Sequence, residues 1–250
     1  MKIEKLSKTE NKASFIVRGI RYSIANAIRR SVLEIPTLAI DTVEFYKNDS
    51  ALYDEMLAHR LGLIPLTTPK NFTKRENCSC KGKGCLKCTA VMKLKTIGPK
   101  TVYASDLKNK GVEVVFKEMP IVILAKDQEL EFIAEAVLGI GKQHAKHTPG
   151  LLWFNAYPIV KEMKQAEKPI KIPPQEFEKI KKSNLEACQD YINEIVESEG
   201  KFMKIETSPE DFVFYIESFG QLSAEEIFNE AINTLNENLD EFAKAVKKEK

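Results

Sequence analysis

The sequence predicts an α+β protein whose first half carries a metal-stapled excursion. Three observations support this. Runs that alternate apolar and polar residues, as half-buried strands do, are interspersed with stretches whose apolar residues recur every three or four positions, as helices require. Four of the five cysteines fall between Cys78 and Cys88. The final segment, from Ser223 onward, carries one long amphipathic stripe.

The elements follow in order. Residues 1–20 read as a strand hairpin, with Ala13-Ser14-Phe15-Ile16-Val17 β-rich and Arg18-Gly19 ending it. In Tyr22–Ile35 the residues Ile24, Ile28 and Val32 recur every four positions, an amphipathic helix stopped before Pro36. A strand is expected over Leu38–Tyr46, then a helix over 54–64 ended by Gly62 and Pro65. A polar excursion spans about 67–90. Strand-like alternation resumes at Val91–Lys95, Val112–Phe116 and Ile121–Leu124, and runs cleanly through Leu130, Phe132, Ala134, Ala136 and Leu138. Another strand is expected from Leu151 to Tyr157. Residues 161–182, rich in Lys and Glu with Pro169, Pro173 and Pro174, read as a linker into a small subdomain. A helix over 184–198 and two short strands, Lys201–Glu206 and Asp211–Glu217, would complete it, with a turn at Ser208-Pro209.

In the last helix Ser223 and Glu226 form a capping box. Phe228, Ile232, Leu235, Leu239, Phe242 and Val246 then follow at spacings of 4, 3, 4, 3 and 4. A seven-residue repeat packs a helix lengthwise against another helix. A single amphipathic helix ordinarily covers its own sheet, so the repeat alone does not decide.

Composition excludes several classes. Charged residues make up 30% and hydrophobic ones 43% of 250 residues, ordinary for a soluble globular chain of one large or two to three small domains. A net charge of +2 gives no overall case for nucleic-acid or anionic-membrane binding. No apolar run approaches the ~20 residues a membrane span needs. The opening Met1–Ser7 lacks a signal-peptide core, so a cytoplasmic location is expected, where disulfides are rare.

The cysteines Cys78, Cys80, Cys85 and Cys88 have the spacing C-x-C-x4-C-x2-C. Two close pairs joined by a short turn can give Zn2+ four thiolates, and Gly82 and Gly84 let the turn reverse. Such a site has no open position and reads as structural. Two disulfides, four free thiols or an iron–sulfur cluster are the alternatives, and the density of cysteines favours metal. Other candidates are weaker. His144 and His147 have metal-like spacing without a carboxylate or cysteine beside them, and read as a surface turn. Gly139-x-Gly141 lacks a third glycine for a dinucleotide loop. His59 reads as structural and Cys188 as a small core residue. No Walker loop, G-x-S-x-G or acidic Mg2+ cluster is present. Arg29 and Arg30 point about 100° apart on their helix, so at least one faces solvent or a partner.

Together these segments resemble a known family. Ser23–Leu33 is similar to the N-A-x-R-R helix of the bacterial RNA polymerase α subunit and its archaeal and eukaryotic counterparts. Ala58-His59-Arg60-Leu61-Gly62-Leu63-Ile64-Pro65-Leu66 resembles the A-H-R-x-G-L-I-P-L signature of the archaeal and eukaryotic branch, and the Cys78–Cys88 knuckle resembles the zinc site inserted there. Gly98–Leu107 and Gly141–Lys146 resemble two further segments. The likeness covers nearly the whole chain and points to the archaeal branch, the D subunits of DNA-directed RNA polymerase.

The resemblance implies a discontinuous α-like dimerisation domain (residues 1–40, 151–160 and 207–250), an inserted α+β domain with the zinc knuckle (41–150) and a small ferredoxin-like third subdomain (161–206). It implies a non-catalytic assembly platform that pairs with a small subunit called L, then gathers subunits N and P and the second-largest and largest catalytic subunits. Phe228, Ile232, Leu235, Leu239, Phe242 and Val246 become half of the interface with L, and Arg29 and Arg30 dock the second-largest subunit. Some members hold an iron–sulfur cluster on four cysteines in the third subdomain. Only Cys188 lies there in this chain, so no cluster is expected. Where members commonly carry Trp, this chain has His147. The competing expectation is a free-standing zinc-knuckle module that binds nucleic acid through Lys70, Lys74, Arg75, Lys81, Lys83 and Lys87.

Overall fold

The computed structural model describes residues 2–69, 71–109, 111–164, 168, 170–182, 191 and 194–248. The chain forms two compact units.

The first unit comprises residues 1–8, 13–29 and 152–215. It is built on a six-stranded sheet. β1 (Lys2–Lys8) and β2 (Lys12–Arg18) form the expected antiparallel hairpin. With β8 (Gly150–Met163), β9 (Ile170–Lys171), β10 (Ile195–Ser198) and β11 (Lys201–Ser218), the sheet runs β1-β2-β11-β10-β9, and β8 also pairs with β11. Phe15 stacks on Phe214 at 5.6 Å, and Phe154 meets both Phe212 and Phe214 at 5.4 Å. Arg18 bridges Glu4 (3.1 Å) and Asp211 (3.2 Å) and lies 4.6 Å from the centre of the Tyr157 ring. A smaller core gathers beneath α3 (Pro174–Lys181), where Phe177 and Ile180 meet Ile172, Val196, Met203 and Ile205. There β9 (Ile170–Lys171) runs parallel to β10 (Ile195–Ser198).

Two expectations fail in this unit. The end of the helix expected over 184–198 is β10, which hairpins into β11 through Glu199 and Gly200, both at positive φ. Residues 184–190, with Cys188, lie outside the described residues. The two strands expected over 201–217 are one continuous strand, and Pro209 falls beyond Lys201–Lys204, the stretch that pairs with β10. The Ser208 hydroxyl accepts from the N–H groups of Glu210 and Asp211 beside that proline.

The second unit comprises residues 9–12, 30–151 and 216–250. Its sheet has the order β3-β7-β4: β3 (Thr37–Asn48), β7 (Glu129–Gly139) and β4 (Thr89–Ile97), all antiparallel. Leu130, Phe132, Ala134 and Ala136 of β7 bury one face, as their alternation predicts. α2 (Asp54–Gly62) covers that core with Leu57 and Leu61. Its Arg60 donates from Nε to the Ile121 carbonyl (2.9 Å) and from Nη2 to the Pro120 carbonyl (2.8 Å), tying the helix to β6 (Pro120–Leu124). Val112–Phe116 is not a strand. It touches residues 65–67 through one bridge, Leu66 to Val114, too short to make a ladder. The partner of β6 is β5 (Lys100–Tyr103), whose four residues are too few to show a period.

Helix α1 (Tyr22–Ser31) continues into a 3-10 turn over Val32–Glu34. Ile28 and Val32 of the expected stripe are buried, but at its first turn Ala25 is buried in place of Ile24, which is exposed. The last helix, α4 (Ala224–Lys248), starts at the expected capping box. Ser223 donates its N–H to Glu226 Oε2 (3.0 Å), and its hydroxyl accepts from the Glu226 N–H (3.3 Å).

Candidate functional site

The knuckle turns on consecutive tight bends. Lys81 and Lys83 donate N–H bonds to the carbonyls of Cys78 and Cys80, and Cys88 donates to that of Cys85. Lys81, Gly82 and Gly84 take positive φ, so the two glycines do reverse the chain. The effect is to converge four sulfurs. All lie within 4.8 Å of one another, and Cys78–Cys85, Cys80–Cys88 and Cys85–Cys88 are 3.5, 3.6 and 3.9 Å apart. A disulfide needs about 2.05 Å. Four sulfurs about 2.3 Å from one tetrahedral centre stand roughly 3.8 Å apart. The four cysteines are free thiols whose geometry could hold one metal ion. The backbone N–H of Cys85, 3.3 Å from the Cys88 sulfur, draws that thiol down to about 6, and the Thr89 hydroxyl adds to the effect. A thiolate is the form a metal binds.

A partner in the second unit braces the knuckle. Arg75 pairs with Glu135 of β7 at 3.1 Å, and its guanidinium lies where a Cβ on Gly84 would come within 2.7 Å. Arg75 is thus committed to protein, which removes it from the basic patch expected to meet phosphates; Lys70 lies outside the described residues. Sequence reasoning missed this brace because 60 positions separate its partners.

His147 corrects a second expectation. It is buried rather than part of a surface turn, while His144 is exposed. Its Nδ1 donates to the Thr37 carbonyl at 2.9 Å, and its own carbonyl accepts from the Thr37 hydroxyl. The imidazole lies flat where Gly139 has no side chain, since a Cβ there would come 2.4 Å from Nε2. Burial pushes His147 below its ordinary value. Gly139 therefore admits a ring rather than a dinucleotide.

Helix α4 divides along its length. Ala224, Ile227 and Ala231 are buried, a line offset from the seven-residue repeat. Of the repeat, Phe228, Ile232 and Leu235 are half-buried, whereas Leu239, Phe242 and Val246 are 57%, 69% and 44% exposed. Asn238 tethers this outer half: it donates to Glu34 (2.7 Å), which also receives Lys142 at 2.5 Å. Burial would raise the Glu34 carboxyl, but Lys142 and Asn238 outweigh it and hold it below the ordinary range. No sequence signal links these three residues. On α1, Arg29 is exposed and held by Asn26 Oδ1 through Nε (3.1 Å) and Nη2 (2.9 Å), and Arg30 is also exposed. No helix among the described residues is long and apolar enough to cross a membrane.

These features fit one class, the α-like subunits of RNA polymerase: residues 22–156 match the RNA polymerase Rpb3/RpoA insert domain. Among characterised proteins, DNA-directed RNA polymerase subunit Rpo3 of Pyrococcus furiosus is 37% identical over 262 residues, covering 99% of this chain and 98% of its own. Rpo3 of Pyrococcus horikoshii is 39% identical, covering 97% of this chain and 96% of its own. Rpo3 of Halobacterium salinarum is 34% identical, covering 98% and 96%. The chain belongs to the Rpo3 family, the archaeal D-type subunits of DNA-directed RNA polymerase.

Proposed function

We propose that this polymerase subunit is the platform on which the enzyme assembles, in the cytoplasm, with catalysis left to the large subunits. The supporting observation is the outer half of α4, where Leu239, Phe242 and Val246 stand exposed in register with Phe228, Ile232 and Leu235. Leaving three large apolar groups on one helix face in water is unfavourable, and a second helix would cover them. The partner is the small subunit L. Subunits N and P and the largest subunit join the pair, and Arg29 and Arg30 dock the second-largest. Asn26 holds the Arg29 guanidinium in place, which lowers the entropy lost when a partner engages it.

The knuckle holds one structural zinc. Four thiolates carry −4 against +2, so the site keeps a net charge of −2 that Lys81, Lys83 and Lys87 offset. The nucleic-acid alternative is weaker, since Arg75 is engaged by Glu135 and Phe72 is half-buried against the core. Reconstitution tests the platform reading. Mixing the host's purified polymerase subunits with this chain omitted is expected to leave L, N, P and the two large subunits unassembled. A complete enzyme formed without it would contradict the reading.

A further inference from the structure

Beside the knuckle lies a groove of about 810 Å³ that neither the metal site nor α4 uses. Phe72, Leu86 and Val91 give it an apolar lining. Leu86, between the last two cysteines of the knuckle, is 90% exposed, and Val91 is 42% exposed. The charged residues that line it are Lys87, Lys93 and Lys108, and no carboxylate is among its described lining. Elsewhere on the sheet such lysines are neutralised: Lys95, the next outward position on β4, pairs with Glu131 at 2.7 Å.

The groove lies at β4, an edge strand. Lys93 turns its N–H and C=O away from β7, where they exchange bonds of 2.9 Å with Lys108. The strand period of two turns those of Val91 to the same outer side. Among the described residues no strand pairs there.

The geometry points to a docking site for an extended segment of another protein that alternates apolar and acidic residues. The segment adds to β4 at Val91, its apolar side chains fill the space between Phe72 and Leu86, and its carboxylates meet the three lysines. Charge complementarity and the edge left open at Val91, between Thr89, whose N–H donates to Cys85, and Lys93, argue together for this occupant. A nucleic acid would use the lysines but not the strand edge, and the lining holds a single aromatic, Phe72, half-buried against the core, too few for a run of stacked bases. The inference does not depend on the polymerase reading.

The test uses the full zinc-loaded chain and a short labelled peptide alternating valine and glutamate. Anisotropy is expected to show binding that Leu86→Asp weakens tenfold or more and Leu86→Met leaves within twofold. Both variants should fold normally, because Leu86 packs against almost nothing. Hydrogen exchange at the Val91 amide should slow when the peptide is bound. Absence of binding would overturn the inference, as would equal binding of a valine–lysine peptide, indifference to Leu86→Asp or an unprotected Val91 amide. A single-stranded oligonucleotide that binds and is released by Leu86→Asp would assign the groove to nucleic acid instead.

Discussion

Substituting Phe242 separates a side chain that serves the fold from one that serves a partner. Full burial of a phenylalanine contributes roughly 1.5–3 kcal/mol. With 69% of Phe242 exposed, about 1–2 kcal/mol of that remains to be gained when a partner covers it. Phe242→Ala should therefore weaken pairing with subunit L about 5- to 30-fold, at about 1.4 kcal/mol per tenfold. Phe242→Asp should weaken it further, since it places a charge in an apolar contact. The unpaired chain should barely notice either change, because exposed positions shift stability by only about 0.5 kcal/mol. Ile227→Ala, in the buried line of the same helix, should cost the lone chain about 2–5 kcal/mol. The assays are titration calorimetry with L and thermal melts of the chain alone. If Phe242→Asp lowered the lone chain's melting temperature as far as Ile227→Ala does, the stripe would be covering its own fold, and the reasoning would be refuted.

Elemental analysis should find about one zinc per chain, and chelation should expose all four knuckle thiols while loosening the second unit; iron, or no metal, would contradict the structural-zinc reading. Arg30→Ala should leave pairing with L intact and weaken binding of the second-largest subunit in pull-downs, and unchanged assembly would count against that assignment. Gly139→Ala should destabilise the second unit by about 1–3 kcal/mol in urea melts, because a Cβ there meets the His147 ring at 2.4 Å; an unaffected midpoint would mean the ring moves aside freely. Because burial lowers the folded value of His147 below its usual 6.5, the unfolded chain takes up the proton first as pH falls. Its contribution is thus complete above 6.5 and is lost as pH drops through the folded value. The stability difference between the natural chain and His147→Gln should shrink between pH 7.5 and 5.5, and a constant difference would exclude this linkage.

Local signals were the legible ones. The α4 capping box spans four residues and the knuckle eleven, so spacing alone anticipated both. β7 showed its period because one face is buried along its length and the other is not. Three features escaped for reasons that are also physical. The ring of His147 is buried only because Gly139, Thr37 and the chain after Gly141 meet in space, and 110 positions separate His147 from Thr37. Pro209 reads as a strand breaker until the sheet shows that pairing with β10 stops before it. The buried line of α1 depends on Ala25, too small to register in an apolar count yet fully covered. In α4 the repeat was plain, but a repeat does not say what covers it; in the structure Leu239, Phe242 and Val246 stand exposed.

Pairing with L is read by light scattering on a size-exclusion column, with this chain expressed alone and together with the host's subunit L. A one-to-one heterodimer when the two are expressed together is the result expected of an assembly platform. A well-behaved monomer that ignores L would contradict it.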